Sequence, residues 1–584
     1  MNNAKNNIII SHITLVFAIF LILTFSIFFI SQDNYRSGDE VVTYSMANNR
    51  IGGFVFSNGR VGKYFNEHII SNSFPETISN LFNMITDVIA KKGDSDFFKS
   101  ERPSETGWYT GTDFFNMFTP ADNERFDYIN VYKNACSDES NPFLYYMMVH
   151  TSSSLFPIGS GESKWCAGIV NIIFLFILFF ILYKIVILSG LNHYAALFIS
   201  LSAIFSYEIA SRISYLRAYI FSAAVASLIF YLHIKLKDSL KSDEEGTASF
   251  KKYCLLIALT YSVGYFGHYM TSVYSFVLFS IFLIRYHKLF LAGNKLKHYI
   301  CTALISVFIS FCIYPVSVFG MLKKFSGFSS GREESGTGLL SILSDFFRII
   351  NNSIFSPMLF PIILLIIIAG IVFVVFSKRS LNISLNVNSI WIDALLSSFF
   401  TMLINMLFMG GYLVVATPLF ILGIFGICYD ILSQIFHGTK ISEKVPIVAL
   451  ALFSFIFIKC GIEHTSALIN TDNNFIEPYI SSFEDRKGTT AIFMRYSKSA
   501  FAYAPLFEST GNVLTITDAP EQLGRFANDK RLSADNNSSL LLFLPNNEEY
   551  INLSDDVLMN TLHYSGSKTL VSEGEYILKE YYSS

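Results

Sequence analysis

Two adjacent carboxylates, Asp39 and Glu40, stand in Gly38-Asp39-Glu40-Val41-Val42-Thr43-Tyr44, a few residues past an apolar run ending at Ile30. A carboxylate at a partly desolvated interface has its charged form penalised and can serve as a general base. The pair reads equally as ordinary solvated loop residues just outside a span. A second acidic pair, Asp138 and Glu139, opens Asp138-Glu139-Ser140-Asn141-Pro142-Phe143-Leu144-Tyr145-Tyr146, which runs on through His150 towards Ser163-Lys164-Trp165. A proline that pre-sets the turn, followed by an aromatic helix, would hold a carboxylate against the bilayer. Taken alone, the same residues describe a helix cap followed by an interfacial tyrosine belt.

Cations form the next group. Arg212 and Arg217 lie at one end of a pair of apolar runs, and Lys323, Lys324 and Arg332 crowd the loop after Tyr314-Pro315. Guanidinium and ammonium groups beside a membrane suit the phosphate of a lipid carrier, Arg as a bidentate fork and Lys as a point charge. The other reading of the loop cations is solvated charge paired with Glu333 and Glu334. His268, in Gly264-Tyr265-Phe266-Gly267-His268-Tyr269-Met270, sits at a turn between two apolar runs, as a structural histidine or as a divalent-metal ligand shared with Glu139. Tyr412, six residues before Pro418, stands where aromatic anchors usually lie. No Gly-rich phosphate loop is present.

These residues must be positioned by a chain that is mostly apolar. Of its 584 residues 52% are hydrophobic and 15% charged, with a mean hydropathy of +0.44, so much of its surface must meet lipid. A net charge of -3 offers no broad basic face, which argues against a nucleic-acid partner. Six of the seven cysteines fall in or beside apolar segments and only Cys136 lies in a polar loop, so no disulfide framework follows.

A span needs about twenty apolar residues. The first run, Ile8 to Ile30, is long enough and lacks a signal-type cleavage site, so it reads as a retained anchor. Further runs lie near 167–189, 193–209, 216–234, 253–268, 270–284, 299–320, 353–377, 391–409, 412–435 and 445–462. The expectation is a mainly α polytopic bundle of about 11 transmembrane helices. Lysine and arginine concentrate in four short loops that fall on one side if the N-terminus is cytoplasmic. That topology leaves residues 33–165 as a large first extracytoplasmic loop and 463–584 as an extracytoplasmic tail, around an anchor at 1–32 and a bundle at 166–462. Residues 76–92 carry apolar side chains at helical spacing, suiting an interfacial helix or one packed on the loop's own core. The tail alternates β-rich runs (490–494, 512–517, 539–544, 569–571) with polar stretches, which predicts a small α/β domain.

The Asp-Glu pair just past the first span, and the long outer loop ending in an acidic residue before Asn141-Pro142-Phe143-Leu144-Tyr145-Tyr146, resemble two motifs of the bacterial GT-C membrane glycosyltransferases. These are the enzymes related to protein O-mannosyltransferases and aminoarabinose transferases (glycosyltransferase family 39/83-like). The likeness extends over the helical region to about residue 440, with only those two motifs specific. It implies a GT-C-like fold and transfer of a sugar from a polyprenyl-phosphate donor to a cell-envelope glycan, lipid or protein acceptor at the outer face of the cytoplasmic membrane. It implies that Asp39 activates the acceptor with Glu40 beside it, and that Glu139 stands at the family's acidic position. His268-Tyr269 and Tyr412 through Pro418 resemble two later motifs. Asp138, Asn141, Tyr145, Arg212, Arg217, Lys323, Lys324, Arg332 and Tyr412 are then the expected substrate-binding residues, with His268 and Glu139 as the metal pair. The sequence departs from the family at Asn141, where the family has histidine, at Phe143, where it has a second proline, and at Tyr44, one residue farther from the acidic pair.

Two other classes compete. A secondary transporter would show internal repeats, broken helices and charges within spans, whereas here Glu208 and Asp393 lie near helix ends and no repeat is visible. A polysaccharide polymerase or flippase would share the carrier lipid and the outward loops.

Overall fold

The computed structural model describes residues 2–34, 37–48, 106–116, 119–138, 141–156, 164–240, 244–291, 295–317, 339–354, 387–408, 413–436, 444–495, 498–517, 521–572 and 574–583, with short pieces between 58 and 101. In chain order its longer helices are α1 (Asn2–Gln32), α2 (Gly38–Asn48), α3 (Tyr128–Asp138), α4 (Leu144–Leu155), α5 (Trp165–Leu188), α6 (His193–Ile204), α7 (Tyr219–Leu240), α8 (Glu244–Gly267), α9 (Met270–Arg285), α10 (Lys295–Ile313), α11 (Leu339–Ile349), α12 (Ser389–Phe408), α13 (Thr417–Ile435) and α14 (Lys444–Glu484). Seven of these, α1, α5, α7, α10, α12, α13 and α14, are long and apolar enough to cross a membrane, and α6 and α9 are shorter apolar helices. The chain is a multi-pass membrane protein. Most of the apolar run at 353–377, and all but a few residues of the amphipathic stretch at 76–92, lie outside the described residues.

The chain divides into two compact units, residues 1–31, 140–145 and 168–468 in one and 32–139, 146–167 and 469–584 in the other. In the first unit the spans differ in how far they are enclosed. The apolar stretch of α7 is 83% buried, whereas that of α10 is 17% buried. Leu304, Val307 and Phe308 of α10 are each more than half exposed. A helix apolar on every side and open on most of them is stable only where its surroundings are also apolar.

Polar side chains inside this unit are satisfied by neighbouring helices. His233 of α7 makes 2.8 Å and 2.9 Å contacts with the Ile229 carbonyl and the Tyr299 hydroxyl. Asp393, fully buried on α12, pairs with Arg285 at the end of α9 at 2.8 Å and accepts from the Tyr286 hydroxyl. Lys237 near the end of α7 donates to Ser389 at 3.2 Å. These contacts tie the ends of three helices where an unpaired charge would be costly.

The second unit is built on a six-stranded sheet. Its strands are β1 (Gly107–Thr110), β2 (Thr490–Arg495), β3 (Asn512–Thr517), β4 (Ser539–Pro545), β5 (Gly566–Val571) and β6 (Tyr576–Tyr582), in the spatial order β1-β3-β2-β4-β6-β5. β2 runs parallel to both β3 and β4, with Ile492 opposite Leu514 and Leu542. The outer pairs are antiparallel. A strand covered on both faces reads as an unbroken apolar run, as Leu540–Leu544 of β4 does. One face carries Ile492, Leu514, Leu542, Ile577 and Tyr581. The other is aromatic, with Phe543 stacked at 5.4 Å on Phe493 and 5.0 Å on Tyr576. The four β-rich runs of the tail are strands, and two more join them: Tyr576–Tyr582, and Gly107–Thr110 from the polar segment after the first span. β1 arrives because Trp108 faces Leu514 across the ladder and packs on the core, a pairing across some four hundred residues that no local pattern announces.

Close helix approach in the first unit depends on Gly461 of α14, where an added Cβ would lie 1.9 Å from the Phe205 carbonyl oxygen at the end of α6. Backbone offers no rotamer to relieve that overlap. Gly461→Ala should therefore lower unfolding stability by about 2 kcal/mol or more, read as a lower melting temperature of the detergent-solubilised protein; an unchanged melting temperature would show that α14 does not pack there.

Candidate functional site

Asp39 and Glu40 occupy the first turn of α2, and the local reason is a reciprocal cap. The Glu40 amide donates to the Ser37 hydroxyl at 3.3 Å while the Ser37 amide donates to a Glu40 carboxylate oxygen at 2.7 Å. Ser37-Gly38-Asp39-Glu40 is thus a capping box, a signal present in the sequence as serine followed three residues later by glutamate. The other Glu40 oxygen lies 3.7 Å from the Lys164 ammonium, whose nearer partner is Asp33 at 2.8 Å. Lys164 and Glu40 are almost fully buried and Asp33 nearly so. Glu40 is therefore committed to holding the turn.

Asp39 is half-buried beside it, and its carbonyl accepts from Thr43 at 3.0 Å. The rest of α2 is buried, packed on α3 and on the 3₁₀ helix Lys498–Ser509. Tyr44 accepts from the Ala167 amide at 3.3 Å, which is how this aromatic is used one residue farther along. Asp138 closes α3 as a buried residue. His150 of α4 reaches Asn48, at the end of α2, at 3.2 Å, and Asn48 donates to Ser153 at 3.1 Å. Burial holds His150 below its ordinary pKa and favours the neutral ring.

In the first unit a second group assembles. The Tyr145 hydroxyl donates to Asn171 of α5 at 2.9 Å. The Asn171 amide nitrogen donates onward to the carbonyls of Arg212, Ile213 and Tyr215 at 3.4, 3.3 and 3.0 Å. One side-chain amide thereby organises the turn between α6 and α7. It presents the Arg212 guanidinium at 5.2 Å and 5.3 Å from the ring centres of Tyr215 and Tyr219. Glu208 is its counter-ion at 3.6 Å, beyond ideal hydrogen-bond length. Among the described residues no partner meets Arg212 Nε. His268 packs against Tyr219 at 5.6 Å, and its Nδ1 accepts from the Met270 amide at 3.2 Å. Arg217 lies half-buried in the same turn.

The Asn141 carbonyl accepts from Tyr314 at 3.1 Å. Phe143 packs against Phe266 and Tyr314 at 5.2 and 5.3 Å, so the residue in place of the second proline fills an aromatic cluster. Tyr145, Arg212 and His268 are thus gathered around one turn of the first unit, while Asp39, Glu40 and Asp138 belong to the second. Glu139, Lys323, Lys324, Arg332 and Tyr412 lie outside the described residues. Among those described, no group of three or more His, Cys, Asp or Glu is arranged to hold a metal ion. Lys164, Asn171 and Asp33 were not singled out as site residues from sequence. Only the capping box and the lysine at the foot of α5 give a local hint of them.

No family model and no curated protein sequence matches the chain. Solved structures do. The crystal structure of ArnT from Cupriavidus metallidurans bound to undecaprenyl phosphate superposes with a TM-score of 0.50 at 9% identity, covering 97% of each chain. The same protein in the apo state gives 0.44 at 9% identity, over 87% of this chain and 98% of that one. The archaeal oligosaccharyltransferase AglB from Archaeoglobus fulgidus, in complex with an inhibitory peptide and a dolichol-phosphate, gives 0.44 at 10%, over 98% and 74%.

Removing the Lys164 cation takes from Asp33 and Glu40 the ammonium that they share among the described residues. Lys164→Met should cost about 3 kcal/mol of stability, measured by thermal unfolding at pH 7.5; a loss below about 1 kcal/mol would reduce the cluster to an ordinary surface pair.

Proposed function

The chain has the fold seen in the undecaprenyl-phosphate-bound ArnT structure over nearly its whole length, and from that premise we propose that it is a membrane glycosyltransferase. It would take a sugar from a polyprenyl-phosphate donor and place it on a cell-envelope acceptor at the outer face of the cytoplasmic membrane. The observation that carries the reading is Arg212: a permanent cation 5.2 Å and 5.3 Å from the centres of two stacked tyrosine rings, with Glu208 as its counter-ion at 3.6 Å and an Nε that no described residue meets. A guanidinium so placed is suited to a phosphate oxygen in partly apolar surroundings. The ArnT structure was solved with such a lipid phosphate.

In the proposed reaction Asp39 accepts the proton of the acceptor hydroxyl as its oxygen attacks the anomeric carbon. The bond from that carbon to the carrier phosphate breaks, and the polyprenyl phosphate leaves with the electron pair. Arg212, with Arg217 and the cations of the loop after Tyr314, would stabilise the charge on the departing phosphate. One displacement inverts the anomeric centre. The donor's phosphate ester supplies the driving force, so no nucleotide site is called for.

Two predictions separate these roles. Asp39→Asn should abolish transfer from a polyprenyl-phosphate sugar in membranes while leaving melting temperature within a degree or so of wild type; full turnover would remove Asp39 from the chemistry. Arg212→Gln should raise the donor KM about tenfold, the effect of losing one charge-assisted bond of ~1.5 kcal/mol. An unaltered donor KM would assign Arg212 to packing alone.

A further inference from the structure

α14 is 41 residues long, about 60 Å at ~1.5 Å per residue, roughly twice a bilayer's apolar thickness of ~30 Å. Its apolar stretch ends near Ile462, so Asp472 and Asn473 stand well beyond it, in the second unit. There Asn473 grips the turn that follows the first span. The Asn34 amide donates to Asn473 Oδ1 at 2.8 Å, and Asn473 Nδ2 donates to the Gln32 carbonyl at 2.6 Å. Asp472, its neighbour, is half-buried and faces three charges, one from each segment meeting there: Asp33 at the exit of α1, Glu40 on α2 and Lys164 at the foot of α5. Lys164 is already shared between Asp33 and Glu40. Among the described residues three carboxylates therefore share one ammonium, and Glu40 is the neighbour of Asp39 on the first turn of α2.

We propose that Asp472 and Asn473 are positioning residues for Asp39, holding Gln32 and Asn34 at the exit of α1 and the Lys164–Glu40 pair at the start of α2, with a proton on Asp472 keeping the clamp tight. This rests on Asp39 as the base. Neutral Asp472 leaves two carboxylates against one ammonium, a balance the geometry satisfies. Once ionised, it adds a third negative charge to a half-buried site with no second cation among the described residues that face it. Burial, then Asp33 and Glu40, push Asp472 up to about 6. The sign follows: a carboxyl raised in the folded state contributes stability that is fully present below its unfolded value of about 3.9 and is lost as pH rises through about 6.

The full chain in detergent tests the clamp without any assay of transfer. Asp472→Asn should melt with wild type near pH 4 and above it by about 2 °C at pH 7.5, the gap opening between about pH 4 and pH 6 and level above that. A gap that does not change with pH overturns the proposal. In membranes, the ratio of variant to wild-type kcat should rise severalfold over the same interval with both KM values unchanged, which a merely structural residue would not produce. Asn473→Ala should lower kcat at every pH. A constant ratio refutes the positioning role. Absence of transfer by the wild-type chain would instead sink the glycosyltransferase reading, and the melting curves would still decide the clamp.

Discussion

Within a bilayer a polar group has no water to turn to, so each must be satisfied by the protein that carries it. This constraint organises the first unit. Asn171 spends its amide on three backbone carbonyls of the turn after α6 and its carbonyl on Tyr145. His233 is taken up by Tyr299 and the backbone of its own helix, and Asp393 by Arg285 and Tyr286. Each of these groups makes at least one contact that crosses between elements, so satisfying the polar group and fixing the helix packing are one event. Arg212 is met less fully, with its carboxylate partner at 3.6 Å and two tyrosine ring centres at 5.2 Å and 5.3 Å. A charge so incompletely met, on a turn so firmly pinned, is where a ligand's negative charge has something to gain.

The second unit faces the complementary problem, too many like charges at one place. Asp33, Glu40 and Asp472 converge on Lys164, and a single ammonium there draws together the exit of the first span, the cap of α2 and the far half of α14. Removing one member of such a group costs more than the group contributes in net stability, because the remaining charges stay buried. What the cluster provides is definition: α2 begins at Ser37, is capped by Glu40, and sets Asp39 on its first turn. In the proposed reaction a general base held to one geometry is worth more to the displacement than one free to wander.

The shared fold with ArnT extends over nearly the full chain at 9% identity. Identity that low is compatible with a common architecture because the bundle is specified by apolar character and small-residue contacts, which many sequences meet. Gly461 against the Phe205 carbonyl is one such contact. The substitutions that depart from the sequence motif are absorbed in the same spirit. Phe143 completes an aromatic cluster with Phe266 and Tyr314, and Asn141 is used through its carbonyl.

The sequence by itself determined the membrane character, most of the helices, the strands of the tail and the acidic pair on α2, since each is written in the composition or period of one short segment. The capping box was legible there too. Tertiary structure alone decided which charges meet at Glu40. Lys164 lies more than a hundred residues from Glu40, and Asp472 more than three hundred beyond Lys164. β1 joins a sheet whose other strands begin at Thr490. Partners that far apart along the chain leave no mark in local periodicity. Charge pairing at a distance depends on burial and angle, which exist only once the helices have packed.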